Sequence, residues 1–122
     1  MTMEKLPGSA SSQIRLMQAR EWIRRQDAKD RYFPPVIFSG AAWPLFLGLY
    51  TARIEARDMS VAAACACSKV VTSTALRWID VLIDAGFVRR LDGNIDMRSA
   101  SLGLTSKGVD AMERLLDAVE TG

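Results

Sequence analysis

Apolar and polar positions follow a helical spacing over much of the chain, and most regularly from Ser68 to Gly86. Placed at 100° per residue, Ala75, Trp78, Ile79, Leu82 and Ile83 gather on one side. Ser73, Arg77, Asp80 and Asp84 fall on the other, with Thr74 at the border. The polar side is sorted along the axis: hydroxyls and an arginine come first, both aspartates late. A helix with a positive N-terminal end, short hydrogen-bonding side chains and one arginine there can enter a DNA major groove. The same pattern fits an ordinary amphipathic helix with a solvated face, so its neighbours must decide.

Taken in order, residues from about Ser12 to Asp30 read as a first helix, with Ile14, Met17, Trp22 and Ile23 as an incomplete apolar stripe. It is too polar to bury itself in a monomer, and could pack along another subunit, lie over the domain, present arginines to phosphates or simply be a solvated face. Tyr32-Phe33-Pro34-Pro35 ends it, and Val36-Ile37-Phe38 is an apolar connector. Ser39 is the expected N-cap of a helix to about Arg57, with Leu45, Phe46, Leu49 and Ile54 inward. Asp58-Met59-Ser60 is a turn capping a short helix from Val61 to about Cys67. A tight connection follows at Ser68–Val71, and Thr72 caps the amphipathic helix, about 72–85. Short helix, brief turn and amphipathic helix make a helix-turn-helix. Gly86 closes the helix. Phe87–Leu91, the turn Asp92-Gly93-Asn94 and the return strand Ser99–Leu104 form a wing, about 87–104. Thr105 caps a last helix striped by Val109, Met112, Leu115, Leu116 and Val119.

Composition removes several alternatives. The 122 residues suit one domain with added terminal helices. There is no histidine, so the commonest general base and metal ligand are missing, and no phosphate loop or nucleophile–base pair is visible. Cys65 and Cys67 have no second ligand pair for zinc and, two apart on a helix, point in different directions. They read as reduced, mostly buried thiols. Neither a catalytic site, a metal nor a cofactor is expected. No apolar run approaches the roughly 20 residues of a membrane span, and no leader is evident, which points to the cytoplasm. Net charge is only +2 but uneven. From Gln13 to Arg31 six cations face three anions, net +3, and from Lys107 onward two face four, net −2.

With these elements in place, the sequence resembles the winged-helix MarR family of bacterial transcription regulators. The pattern D-x-R-x5-L-T-x2-G is present as Asp96-Met97-Arg98, Leu104-Thr105 and Gly108. Before it, Ala75-Leu76-Arg77-Trp78-Ile79 through Ala85-Gly86-Phe87-Val88-Arg89-Arg90 is similar to the family's recognition helix running into its wing. The match covers about Ala41 to Leu116. It implies a homodimer on double-stranded DNA, with recognition helices in the major groove and wings toward minor groove or backbone. By position, Thr72, Ser73, Thr74 and Arg77 would face the groove. Lys69, Arg90, Asn94 and Arg98 would serve backbone or wing, and Asp96 would orient a neighbouring arginine. Many relatives carry arginine where this chain has Met97, so the wing is less cationic. The resemblance places no effector pocket.

The expected fold is mainly α with a small β-hairpin wing: a winged helix-turn-helix flanked by N- and C-terminal helices. Residues 1–11 form a disordered lead-in, 12–38 an N-terminal helix and connector serving as a dimerisation arm, 39–108 the DNA-binding domain, and 105–122 a C-terminal helix. Two functions follow: a sequence-specific regulator, or a winged helix used for protein contacts without a specific DNA target.

Overall fold

In the computed structural model, residues 10–91 and 100–121 are described. The expected lead-in lies outside them up to residue 9, whereas Ala10 and Ser11 are already helical. Helix α1 spans Ala10–Tyr32, α2 Pro35–Phe38, α3 Ala42–Ile54, α4 Val61–Ser68, α5 Thr72–Asp84 and α6 Ser106–Thr121. Strands β1 (Met59–Ser60), β2 (Val88–Arg90) and β3 (Ser101–Leu104) make an antiparallel sheet in the order β1-β3-β2. This is a winged helix-turn-helix: α3, α4 and α5 pack on a small sheet, and α1 lies against α6.

Four local expectations need correction. The apolar connector is a helical turn, because Pro35 at its first position has φ preset and no N–H to lose. Ser39 closes that turn through its backbone N–H to Pro35 O and does not cap α3, which starts three residues later without a side-chain cap. Met59 and Ser60 are a strand, held by pairing with Leu102 and Ser101. Ile54 is 66% exposed: the buried side of α3 runs through Leu45, Leu49 and Ala52, and Ile54 is half a turn away from Leu45.

The core is aromatic at the meeting of α1, α2, α3 and β2. Phe33, Phe38 and Phe46 are completely buried, and Phe87 nearly so. Ring centroids lie 4.8 Å apart for Phe33–Phe38, 5.1 Å for Phe33–Phe46 and 5.0 Å for Phe38–Phe87, all edge-to-face. That geometry sets positive ring edges against negative faces. Trp43 packs edge-on to Phe33 at 5.1 Å, so it belongs to the core. Lys29 places its ammonium 4.8 Å from the centre of the Trp43 ring, and burial there pushes its pKa down.

Helix α1 buries only Ala28. Besides Ala28 and Tyr32, which pack on the core, a polar contact ties it to α6: Arg24 donates to the carbonyls of Ala118 (3.3 Å) and Val119 (2.8 Å) near the end of that helix. Those are carbonyls a helix cannot satisfy internally, and a cation suits that end of the dipole. Glu21 orients Arg24 by two hydrogen bonds, 3.0 and 2.7 Å, and also accepts from Arg25 at 2.9 Å. These bonds hold the Glu21 carboxyl below its ordinary pKa.

Candidate nucleic-acid interface

The unit α4–turn–α5 is fixed mostly by its own short side chains. Ser60 caps α4 as expected, its hydroxyl accepting from Ala63 N at 3.1 Å. At the other end Ser68 is buried; its hydroxyl donates to Cys65 O at 2.6 Å and accepts from Val70 N at 3.4 Å. Lys69 then reverses the chain in the left-handed conformation, φ 64°, a place usually given to glycine. Its side chain stands exposed at the turn.

Helix α5 buries Ala75, Ile79 and Leu82, half-buries Trp78 and Ile83, and exposes Ser73, Arg77, Asp80 and Asp84. The sequence periodicity gave the correct face. The expected cap was not correct. Val71 in extended geometry precedes the helix and Thr72 is its first residue, so no side chain caps the N-terminal N–H groups. Thr72 and Ser73 are exposed there and Thr74 is half-buried. Thr72, Ser73, Thr74 and Arg77 therefore occupy the first turn and a half of one helix, with Lys69 just before it.

The far end of α5 is anchored through backbone atoms. Gly86 N donates to Ile83 O and Phe87 N to Leu82 O, both at 3.0 Å, with Gly86 at φ 85°. This is the Schellman closure, and its left-handed residue is the glycine expected from sequence. The first turn of α6 grips the same segment. Thr105 N donates to Phe87 O at 3.1 Å, the Thr105 hydroxyl to Gly86 O, and Lys107 Nζ to Ala85 O at 2.7 Å. The Thr105 hydroxyl also accepts from Gly108 N at 3.1 Å, which caps α6 as expected. A methyl group on Gly108 would lie 2.5 Å from Phe87 O, so only glycine allows this approach.

Arg90 ends β2 with its side chain half-buried, and its Nη2 lies 3.9 Å from Asp80 Oδ1 on α5. Asn94 and Arg98, with Asp96 and Met97 of the matched pattern, lie outside the described residues. The fold thus brings Lys69, the α5 residues and Arg90 to one helix-turn-helix unit and its adjoining strand. The Asp80–Arg90 pair was missed in the sequence, where Asp80 read as a solvated residue. Its signal was only an opposite charge ten positions away across the Gly86 turn.

Cys65 is buried and Cys67 half-buried, and neither forms a disulfide. Among the described residues no helix is long and apolar enough to cross a membrane, and no cluster of three or more metal-ligating side chains occurs. A cleft of about 420 Å³ lies at the junction of α1, β2 and α6, lined by Tyr32, Pro34, Phe87, Lys107, Asp110 and Arg114 among others.

No family model matches the sequence, and no curated protein does. Solved structures do match. RV1404 from Mycobacterium tuberculosis aligns with TM-score 0.72 at 15% identity, covering 99% of this chain and 79% of that one. MepR of S. aureus, solved with ethidium bromide, aligns with TM-score 0.68 at 13% identity over 93% and 76%. A MarR family transcriptional regulator from Silicibacter pomeroyi aligns with TM-score 0.57 at 17% identity over 98% and 79%. The chain shares its winged-helix fold with these structures.

Proposed function

We propose that this protein is a MarR-type regulator of transcription that binds double-stranded DNA sequence-specifically as a homodimer. The observation that carries the reading is the exposed hydroxyl-and-arginine face at the start of α5, uncapped by any side chain and followed by a wing. Its shared fold with MarR-type regulators supports it. Phosphate contacts from Lys69, Arg90 and Arg98 would position the protein, and Thr72, Ser73, Thr74 and Arg77 would read base edges. Asn94 would contribute a hydrogen bond from the wing. An arginine donating two hydrogen bonds to guanine is worth about 1–3 kcal/mol of discrimination, which makes Arg77 the main specificity residue.

Dimer formation through α1 and α6 accounts for a feature a monomer does not. Ile14, Met17, Trp22 and Ile23 on α1 and Leu116 on α6 are exposed apolar side chains, Trp22 at 71%. A two-fold dimer would set its reading helices roughly 34 Å apart on a near-palindromic site. The reading assigns no catalysis and no cofactor, and it places the protein on cytoplasmic DNA.

The test is selection of bound sequences from random duplexes with the purified protein, followed by fluorescence anisotropy of wild type and Arg77→Ala on the selected site. A near-palindrome should emerge, and Arg77→Ala should bind about 5- to 150-fold more weakly with an unchanged melt. A selection that enriches no motif would favour the protein-contact reading, and unchanged Arg77→Ala affinity would remove Arg77 from the reading set.

A further inference from the structure

Strand β2 alternates its side chains. Val88 is buried, Arg89 is exposed on the other face, and Arg90 returns to the inward side, half-buried. Since α5 packs on β2, this inward arginine comes close to the helix, where the Asp80 carboxylate lies 3.9 Å from it. Asp80 shares the outer face of α5 with Ser73 and Arg77 and stands about 4.5 Å beyond Arg77 along the axis. The pair therefore bridges the reading face of the helix and the base of the wing, although Asp80 carries the charge that DNA repels.

We propose that Asp80 is a positioning residue for DNA binding: its carboxylate holds the Arg90 guanidinium at the seam between recognition helix and wing, where the phosphate backbone separates the two grooves. This role rests on the DNA-binding reading above. Left unpaired, the arginine side chain samples many rotamers and must be ordered when the complex forms. Held by Asp80, it meets a phosphate from a geometry already restricted, and the guanidinium has enough donors to serve both groups.

The two possible roles of Asp80 predict opposite signs. If it merely repels DNA, Asp80→Asn tightens binding, as Asp84→Asn should. If it positions Arg90, Asp80→Asn weakens binding, by about 2- to 5-fold given the worth of a partly exposed pair. A double-mutant cycle separates them, with affinity measured by anisotropy on the selected duplex across a salt series. Expected are weaker binding for Asp80→Asn, a salt slope lower by about one for Arg90→Gln, and a double variant no weaker than Arg90→Gln alone. Melts within error of wild type would exclude a general loss of fold. Tighter or unchanged binding by Asp80→Asn, or losses that simply multiply in the double variant, would overturn the positioning role. Wild-type protein that binds no duplex in the selection would overturn the DNA-binding reading itself, and the role of Asp80 with it.

Discussion

The matched segment Leu104-Thr105-x-x-Gly108 makes a sharp prediction about two glycines that look alike in sequence. Gly86 and Gly108 flank the same contact, but the structure gives each a different reason. At Gly86 the reason is φ 85°, while a side chain there would meet only Lys107 at 3.7 Å. Gly86→Ala should therefore cost only the left-handed conformation, about 1–2 kcal/mol. At Gly108 the reason is space. Its added methyl would lie 2.5 Å from Phe87 O, a backbone atom flanked by the Schellman turn and bonded to Thr105 N. Helix α6 must retreat, which strains packing by about 1–3 kcal/mol. It also weakens the bonds from Thr105 and Lys107 to Phe87, Gly86 and Ala85, each worth about 1 kcal/mol. Gly108→Ala should thus cost about 2–5 kcal/mol. At roughly 4 °C per kcal/mol for a chain of this size, its melting temperature should fall by about 8–20 °C, against about 4–8 °C for Gly86→Ala. Differential scanning calorimetry of both variants decides the point. If Gly108→Ala melts at or above Gly86→Ala, the close approach of α6 to Phe87 is not what selects glycine at this position.

Two further outcomes follow from the core and the α1–α6 contact. Phe33→Ala opens a void beside Phe38, Phe46 and Trp43 and should lower stability by about 3–5 kcal/mol in urea denaturation, among the largest effects of any single truncation. Glu21 has its folded-state pKa lowered by hydrogen bonds from Arg24 and Arg25, so its contribution is complete above its ordinary value of 4.5 and is lost as pH falls through the depressed folded value. The melting advantage of wild type over Glu21→Gln should accordingly be present at neutral pH and vanish in strong acid. An advantage that grew on acidification would contradict that sign.

What could be read from the sequence was whatever a periodicity or a capping residue encodes. The α5 stripe was legible because Ala75, Ile79 and Leu82 share one face with a polar face opposite, and the caps at Ser60, Gly86 and Thr105 announced themselves by residue type. Helix α2 was hidden because Pro34 and Pro35 read as breakers, although proline at a first helical position starts a turn as readily as it ends one. Strand β1 is two residues long and exists through pairing with β3, through Met59–Leu102 and Ser60–Ser101, a contact far along the chain that no local pattern records. The aromatic cluster joins Phe33, Phe38, Phe46 and Phe87, which lie on four different segments. Of the proposed interface, the residues on one helix were legible from their shared face, whereas the approach of Arg90 to Asp80 depends on how β2 packs on α5.

The fastening of α5 has a consequence for how such a surface could be rewritten. The hydrogen bonds that seat the end of the helix act on main-chain oxygens, those of Leu82, Ile83, Ala85, Gly86 and Phe87. The inner side chains Ala75, Ile79 and Leu82 seat the rest. Neither set uses the outer positions 73 and 77. Letters can therefore be exchanged at those positions while the helix keeps its orientation, since the mount does not depend on them. Residue 80 is the exception: an exchange there alters the text and also the joint to β2.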